Sequence, residues 1–476
     1  MKSNTLLFTS YLNFVAWLVP AALSLMTPIL LMRDLGVEGY GIYVLLISIA
    51  LFFTIADLSM DALLIPRIAR EKTKRDLVIL QSRRFFVLAA LLVFILSSLC
   101  FHVFRILDIF NLGSLTHMQL LLIALFTASQ LLVTSSYIEA MGSGRLNSYS
   151  AKTLYINLGN LAAIVTMHLV GILIVENLLL CRVITNLLIG GRSIKTGAVD
   201  QKTLGYKPFF GPEVLAFMRI ALFGKFISLV TFNCDKILIA SYLTVRDVGL
   251  VSFPMQLGLA IVMGASKLCA PLQPVSASSY EDGLVESDRM NYTVRSFINI
   301  LVLDVGAMVL LIALWLPNLV PHIYGGVVDE SEISFQFAII LVGFWLVSLS
   351  AIAANILPGW NRMGLNIFSA TIRGCITMLV MFLSIHSMGI FAVCFALLLA
   401  GIWDISFLVW FLFSNGLTAA GRRALYCLGF MLSVMVVSIP TKYLLIKQDF
   451  IFTSVLSFML MVLLAFSLLG TLRNKK

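Results

Sequence analysis

The chain has 476 residues, 60% of them hydrophobic and only 12% charged, with a mean hydropathy of +1.01. A soluble domain carries roughly 25% charged residues, so the composition excludes a soluble enzyme, a secreted disulfide scaffold and a receptor with a single anchor. The net charge of +10 reads as loop charge beside a membrane, because the basic residues are scattered without aromatic interleaving and so do not form a nucleic-acid surface.

At ~20 apolar residues per crossing, the chain divides into fourteen apolar runs. The first, 10–32, is too long for a signal peptide and lacks a small-residue cleavage site. It is followed by 40–63 and by a basic loop with Arg67, Arg70, Lys72, Lys74, Arg75, Arg83 and Arg84. Next come 85–106, 117–139, 151–170 and 172–191, the last two divided only by Gly171. A connection over 192–213, with Lys195, Asp200, Lys202, Lys207, Pro208 and Pro212, separates six runs from eight. The remaining runs are 214–242, 248–270, 294–316, 333–357, 364–386, 388–413, 424–446 and 450–472. Continuous apolar runs predict helices, because a membrane barrel alternates apolar and polar residues. Pro20 and Pro28 interrupt the first run and Pro254 the eighth, which predicts bends there.

Lys and Arg set the orientation. With a cytoplasmic N-terminus, only Arg33, Arg105, Arg246, Lys442 and Lys447 fall on the outer side, and the tail Arg473-Asn474-Lys475-Lys476 is cytoplasmic as well. The seven cysteines lie in or beside apolar runs without a CxxC pair and read as small hydrophobes. The five histidines fall at outer ends without metal-ligand spacing.

Sliding the chain along itself pairs 29–69 with 237–277 without a gap. Identities include Leu35/Leu243, Val37/Val245, Gly41/Gly249, Leu51/Leu259 and Pro66/Pro274. Both copies start on the cytoplasmic side, so this is a parallel repeat about an axis along the membrane normal. The expected architecture is an all-α polytopic membrane protein of about fourteen transmembrane helices: two six-helix lobes related by a pseudo-twofold repeat, plus two C-terminal helices. The expected divisions are 1–195 for the N-lobe, 196–213 for the inter-lobe loop, 214–414 for the C-lobe and 415–476 for the appended pair and basic tail.

Charges inside spans are costly and mark functional sites. Arg182, Lys225 and Arg373 predict a cavity that takes an anion such as a pyrophosphate, since Arg presents a bidentate fork to phosphate oxygens. Internal pairing, for example Arg373 with Asp304, competes with that reading; Lys225 has no obvious partner. Asp57 and Asp61 share one face of the second span, and the repeat places Lys267 at matching depth, which predicts an inner gate between these acids and Lys267. A proton-coupling role for Asp57 is the second option. Asp235 and Asp304 are further in-span acids available for gating or coupling. Nucleophile–base pairs, HExxH, phosphate loops and CxxC pairs are absent from the sequence, so it is read as a non-enzyme with no cofactor and no metal.

The run Leu35-Gly36-Val37-Glu38-Gly39-Tyr40-Gly41-Ile42-Tyr43 resembles the outer turn of Wzx-type polysaccharide flippases. Asp57-Leu58, Arg67-Ile68-Ala69-Arg70, and Asn233-Cys234-Asp235-Lys236-Ile237-Leu238-Ile239 followed by Val248-Gly249 are similar to other segments of that family. Ser59 stands where a glycine commonly follows the Asp-Leu pair, and the first span lacks a charged residue. The family belongs to the multidrug/oligosaccharidyl-lipid/polysaccharide exporter superfamily. The resemblance implies a flippase that moves an undecaprenyl-pyrophosphate-linked oligosaccharide across the bacterial inner membrane by alternating access. O-antigen assembly is the implied setting, with a polysaccharide polymerase and a chain-length protein as partners. Two rivals remain: a cation-coupled drug antiporter of the same superfamily, which needs an acid-rich cavity, and a membrane polymerase or ligase, which needs large outer loops.

Overall fold

The computed structural model describes residues 3–58, 60, 64–65, 67–68, 75–106, 115–143, 146–191, 212–273, 275–276, 288–324, 330–360 and 362–440. The chain opens with α1 (Ser3–Phe53), which ends in a 3-10 turn over Thr54–Asp57. It continues through α2 (Arg75–Ile106), α3 (His117–Gly142), α4 (Leu146–Val170), α5 (Val175–Gly190), α6 (Pro212–Tyr242) and α7 (Val245–Cys269). A broken rod follows, made of α8 (Asp288–Asn299), a π-helical turn (Ile300–Val305) and α9 (Gly306–Tyr324). The last elements are α10 (Glu330–Ser348), α11 (Ala351–Gly359), α12 (Met363–Met388), α13 (Phe391–Ser414) and α14 (Thr418–Pro440).

Within the described residues, each expected span up to the thirteenth falls on helix; the fourteenth, 450–472, lies outside them, as does Asp61. Among the described residues, nine helices are long and apolar enough to cross a membrane.

Local sequence explains where these helices break. The first two expected spans form one helical assignment interrupted at Gly36, whose φ of 70° and ψ of 172° occupy a region open essentially to glycine alone. Helix persists through Pro20, Pro28 and Pro254; within α1 the non-helical residue is Gly36, outside the expected proline positions. The division within 151–191 sits at Gly171, where Ile172 N–H donates to Met167 O at 3.0 Å. Thr116 caps α3 by a reciprocal box: Gln119 N–H donates to its hydroxyl (3.2 Å) and its own N–H to Gln119 Oε1 (3.0 Å). Thr244 and Asp247 repeat this at the start of α7, at 3.2 and 3.0 Å. Hydroxyls inside spans return to their own backbone, as Ser97 does to Val93 O at 2.6 Å, since hydrocarbon offers them no water.

Packing repeats with the sequence. In the first half α2 lies against α3, α3 against α5 and α4 against α5. In the second half α9 lies against α10, α10 against α13 and α12 against α13. These are the same three pairings shifted by six spans, so the repeat detected at the first helices of each half extends to the rest. The thirteenth span, α14, packs on α8.

By packing, one compact unit comprises Met26–Leu250 and the other Met1–Leu25 with Val251–Lys476. This boundary falls inside α1 and α7, whereas the repeat divides the chain at 196–213. Helix α6 groups with the helices before it, and its Lys225 reaches the end of α1.

The π turn has an identifiable support. The buried indole of Trp345 on α10 donates to Leu301 O at 3.0 Å, and Trp345 also covers Gly306. Trp345→Phe removes the donor and leaves a smaller aromatic ring in its place. Thermal unfolding in detergent should show a loss of about 1–3 kcal/mol, and an unchanged midpoint would mean that the indole bond does not hold the turn.

Candidate functional site

In the unit Met26–Leu250, the end of α1 supplies an acid at an irregular point in the backbone. The 3-10 turn places Asp57 and closes at Leu58, a residue at φ 53° that a branched side chain adopts only under strain. Lys225 of α6 donates to Asp57 Oδ2 and to Thr54 O, the latter at 3.4 Å. The Asp57 side chain is 5% exposed and that of Lys225 26%. Lys225 therefore has a partner, which is the acid expected to gate against Lys267. Lys267 is exposed at the end of α7 and makes no ion pair among the described residues.

Further along α6, Lys236 turns back on its neighbour. Its Nζ lies 3.1 and 3.0 Å from the two Asp235 carboxylate oxygens and 2.9 Å from Phe232 O. Both residues are buried, and three contacts offset the cost of taking an ammonium out of water. In the other unit Arg373 of α12 donates to Asp404 of α13 at 2.9 Å, with Asp404 fully buried. Arg373 thus meets an acid on the helix that lies beside its own. Trp403, next to Asp404, donates to Ser369 O one turn before Arg373. Asp304 sits in the π turn.

Arg182 differs from these. It lies midway along the 16-residue α5, with its guanidinium carbon 5.3 Å from the ring centroid of Tyr43 on α1. Its Nε is buried without a hydrogen-bond partner, as is the Tyr43 hydroxyl. Arg182 makes no ion pair among the described residues. One turn on, Asn186 donates to Ser129 of α3 at 3.0 Å, which fixes this face of α5 against its neighbour.

Three histidines are also placed. His102 stacks on His117 at 5.4 Å, Arg105 reaches His117 Nε2 at 2.7 Å, and His168 Nδ1 lies 2.5 Å from Asp34. Among the described residues no three His, Cys, Asp or Glu side chains group as metal ligands.

Sequence reasoning missed Tyr43 and Asp404 as partners of Arg182 and Arg373. Tyr43 stands inside the quoted Tyr-Gly-x-Tyr run, so a signal was present. Asp404 carried a signal too, as an aspartate deep in an apolar run.

Removing one partner of a buried pair leaves an uncompensated charge, which costs about 3–5 kcal/mol. Arg373→Ala should therefore lower stability by that amount in thermal unfolding. Arg373→Met with Asp404→Leu should recover most of it. A double variant as unstable as the single one would show that the pair is not the source of the loss.

No protein-family model and no curated sequence matches the chain. Solved structures do. A lipid II flippase MurJ, in an inward closed conformation, aligns with a TM-score of 0.67 at 15% identity, over 96% of this chain and 98% of that one. An inward-facing multidrug resistance MATE family transporter of the MOP superfamily aligns with a TM-score of 0.65 at 12% identity, over 89% and 99%. The MATE multidrug transporter DinF-BH, solved as a complex, gives 0.59 at 14% identity, over 87% and 96%. The chain thus shares, along nearly its whole length, the fold of membrane transporters of the MOP type.

Proposed function

We propose that the protein is a flippase that moves a polyprenyl-pyrophosphate-linked oligosaccharide repeat unit across the bacterial inner membrane by alternating access. In this reading both termini are cytoplasmic, and 1–195 and 214–414 are the moving lobes. The setting is O-antigen or related lipopolysaccharide assembly, with an undecaprenyl-pyrophosphate-linked sugar as substrate and polymerase and chain-length proteins downstream. Likeness to a lipid II flippase supports a lipid-linked substrate.

The observation that carries the reading is Arg182. Asp57, Asp235 and Asp404 each face a cation at ion-pair distance, whereas Arg182 faces an aromatic ring. A cation–π contact returns ~0.5–2 kcal/mol, against a desolvation cost of several kcal/mol for a guanidinium taken out of water. The deficit is met when an anion binds, and a pyrophosphate matches the guanidinium fork. Lys225 and Arg373 are already neutralised, so their assignment here is to hold helices together, with Asp57–Lys225 as a coupling element. A second reading, a cation-coupled drug antiporter, draws on the likeness to MATE transporters; it requires an acid free to meet a cationic drug.

Reconstitution into liposomes with a labelled lipid-linked oligosaccharide tests the choice. Arg182→Gln should slow leaflet transfer about tenfold or more, the factor that 1.4 kcal/mol of lost binding produces. Transfer at the unmodified rate, or efflux of a lipophilic cation with no transfer of any lipid-linked sugar, overturns the reading. Tyr43 gives a further outcome. Tyr43→Phe keeps the ring face and should transfer almost normally, while Tyr43→Leu should fall by about three- to thirtyfold, the range a cation–π contact spans. Equal effects of the two would mean that the ring face does not position Arg182.

A further inference from the structure

A carboxamide inside a membrane helix has two unequal ends. Its amino group finds an acceptor in the helix itself, the carbonyl one turn back, as Asn233 does at Leu229 O (3.1 Å) and Asn355 at Ala351 O (2.8 Å). Its oxygen needs a donor, and the interior of a helix supplies none, because each backbone N–H there is already bonded to the carbonyl four residues earlier. In the unit Met26–Leu250, the buried side-chain atoms without a hydrogen-bond partner among the described residues are Tyr43 Oη, Ser135 Oγ, Asn160 Oδ1 and Arg182 Nε. Of these, Asn160 Oδ1 is the carbonyl oxygen, able to accept and nothing else. Asn186, one turn beyond Arg182, makes the contrast. Its amide donates to Ser129 Oγ at 3.0 Å, and Ser129 donates in turn to Phe126 O at 2.7 Å.

Asn160 stands at the level of Arg182. Helices α4 and α5 pack as an antiparallel hairpin turned at Gly171. A side-chain carbon added to Gly159 would lie 3.4 Å from Thr185 Cγ2, and the Thr185 hydroxyl donates to Cys181 O at 2.8 Å. Gly159 therefore packs on the turn of α5 that carries Arg182. From that level Asn160 is one residue nearer Gly171 on α4 and Arg182 three residues nearer on α5, so the two differ by about 3 Å along the hairpin axis. We propose that Asn160 reads the sugar attached to the pyrophosphate, accepting a hydrogen bond from a ring hydroxyl or an acetamido N–H while Arg182 holds the phosphate oxygens. The assignment deepens the flippase reading above and rests on it. A polyprenyl chain carries no donor and leaves the oxygen unmet, whereas a sugar carries several. The first sugar suits the small difference in level, because its hydroxyls lie nearest the phosphate. A site that holds a polar atom in wait for one ligand group discriminates against a ligand that lacks it.

Native mass spectrometry of the full chain tests this, with undecaprenyl pyrophosphate and, separately, the same lipid bearing one N-acetylglucosamine. The unmodified protein should hold the sugar-bearing lipid about fivefold tighter or more, the factor that one hydrogen bond returns. Asn160→Leu should abolish that preference and bind the bare lipid as the unmodified protein does. Arg182→Gln should weaken both lipids. Asn160→Leu should also unfold at the same temperature as the unmodified protein or higher, because it removes an unmet acceptor. A lower unfolding temperature would mean that the oxygen has a structural donor, such as a trapped water, and overturns the proposal. A sugar preference that survives in Asn160→Leu, or that the unmodified protein lacks, overturns it as well. If Asn160→Leu abolishes the preference while Arg182→Gln holds both lipids normally, the sugar contact stands and the anion assignment of Arg182 falls. If Arg182→Gln weakens both lipids and Asn160→Leu changes neither, the sugar contact falls alone. If the unmodified protein holds neither lipid, both fall.

Discussion

A charge placed in hydrocarbon must find a counter-charge, and much of this molecule follows from that constraint. Asp57 and Lys225 tie the end of α1 to α6, and Arg373 and Asp404 tie α12 to α13. Asp235 and Lys236 neutralise each other within one turn of α6. Each pair removes two charges from the inventory of groups able to meet a substrate. Replacing such a pair by apolar residues would cost little, so their value lies in fixing which helices lie together. Arg182 is left facing Tyr43, and the account of function depends on it.

The same helix carries the irregularities. Gly36 turns it, Gly41 lets it touch α7, Tyr43 covers Arg182, and Asp57 ends it in a strained turn. The contact with α7, the ring on Arg182 and the Asp57–Lys225 pair thus share one helix.

Much of the fold was legible because apolar run length is a direct consequence of bilayer thickness. Gly41 and Gly249 were legible as a repeated pair, since a backbone contact leaves glycine no substitute. The break at Gly36 was not legible beside the prolines: helix continues through Pro20, Pro28 and Pro254, and the non-helical residue of α1 is Gly36. The partners of Lys225 and Arg373 were not legible. Which acid meets which base depends on how far each helix is rotated and which helix lies beside it, and depth along the span alone does not fix either. Asp304 and Asp404 are both at mid-depth, and the adjacency of α12 to α13 is what brings Asp404 to Arg373. Tyr43, one of 13 tyrosines, gains its significance only from the guanidinium above it.

Competitive binding on the purified protein tests the central claim most directly. Native mass spectrometry with undecaprenyl pyrophosphate and a lipophilic cation dye present together would read which one is retained. The pyrophosphate lipid should be retained, and Arg182→Gln should lose it without a fall in the unfolding temperature. Retention of the dye by the unmodified protein, with the pyrophosphate lipid bound equally by Arg182→Gln, would contradict it.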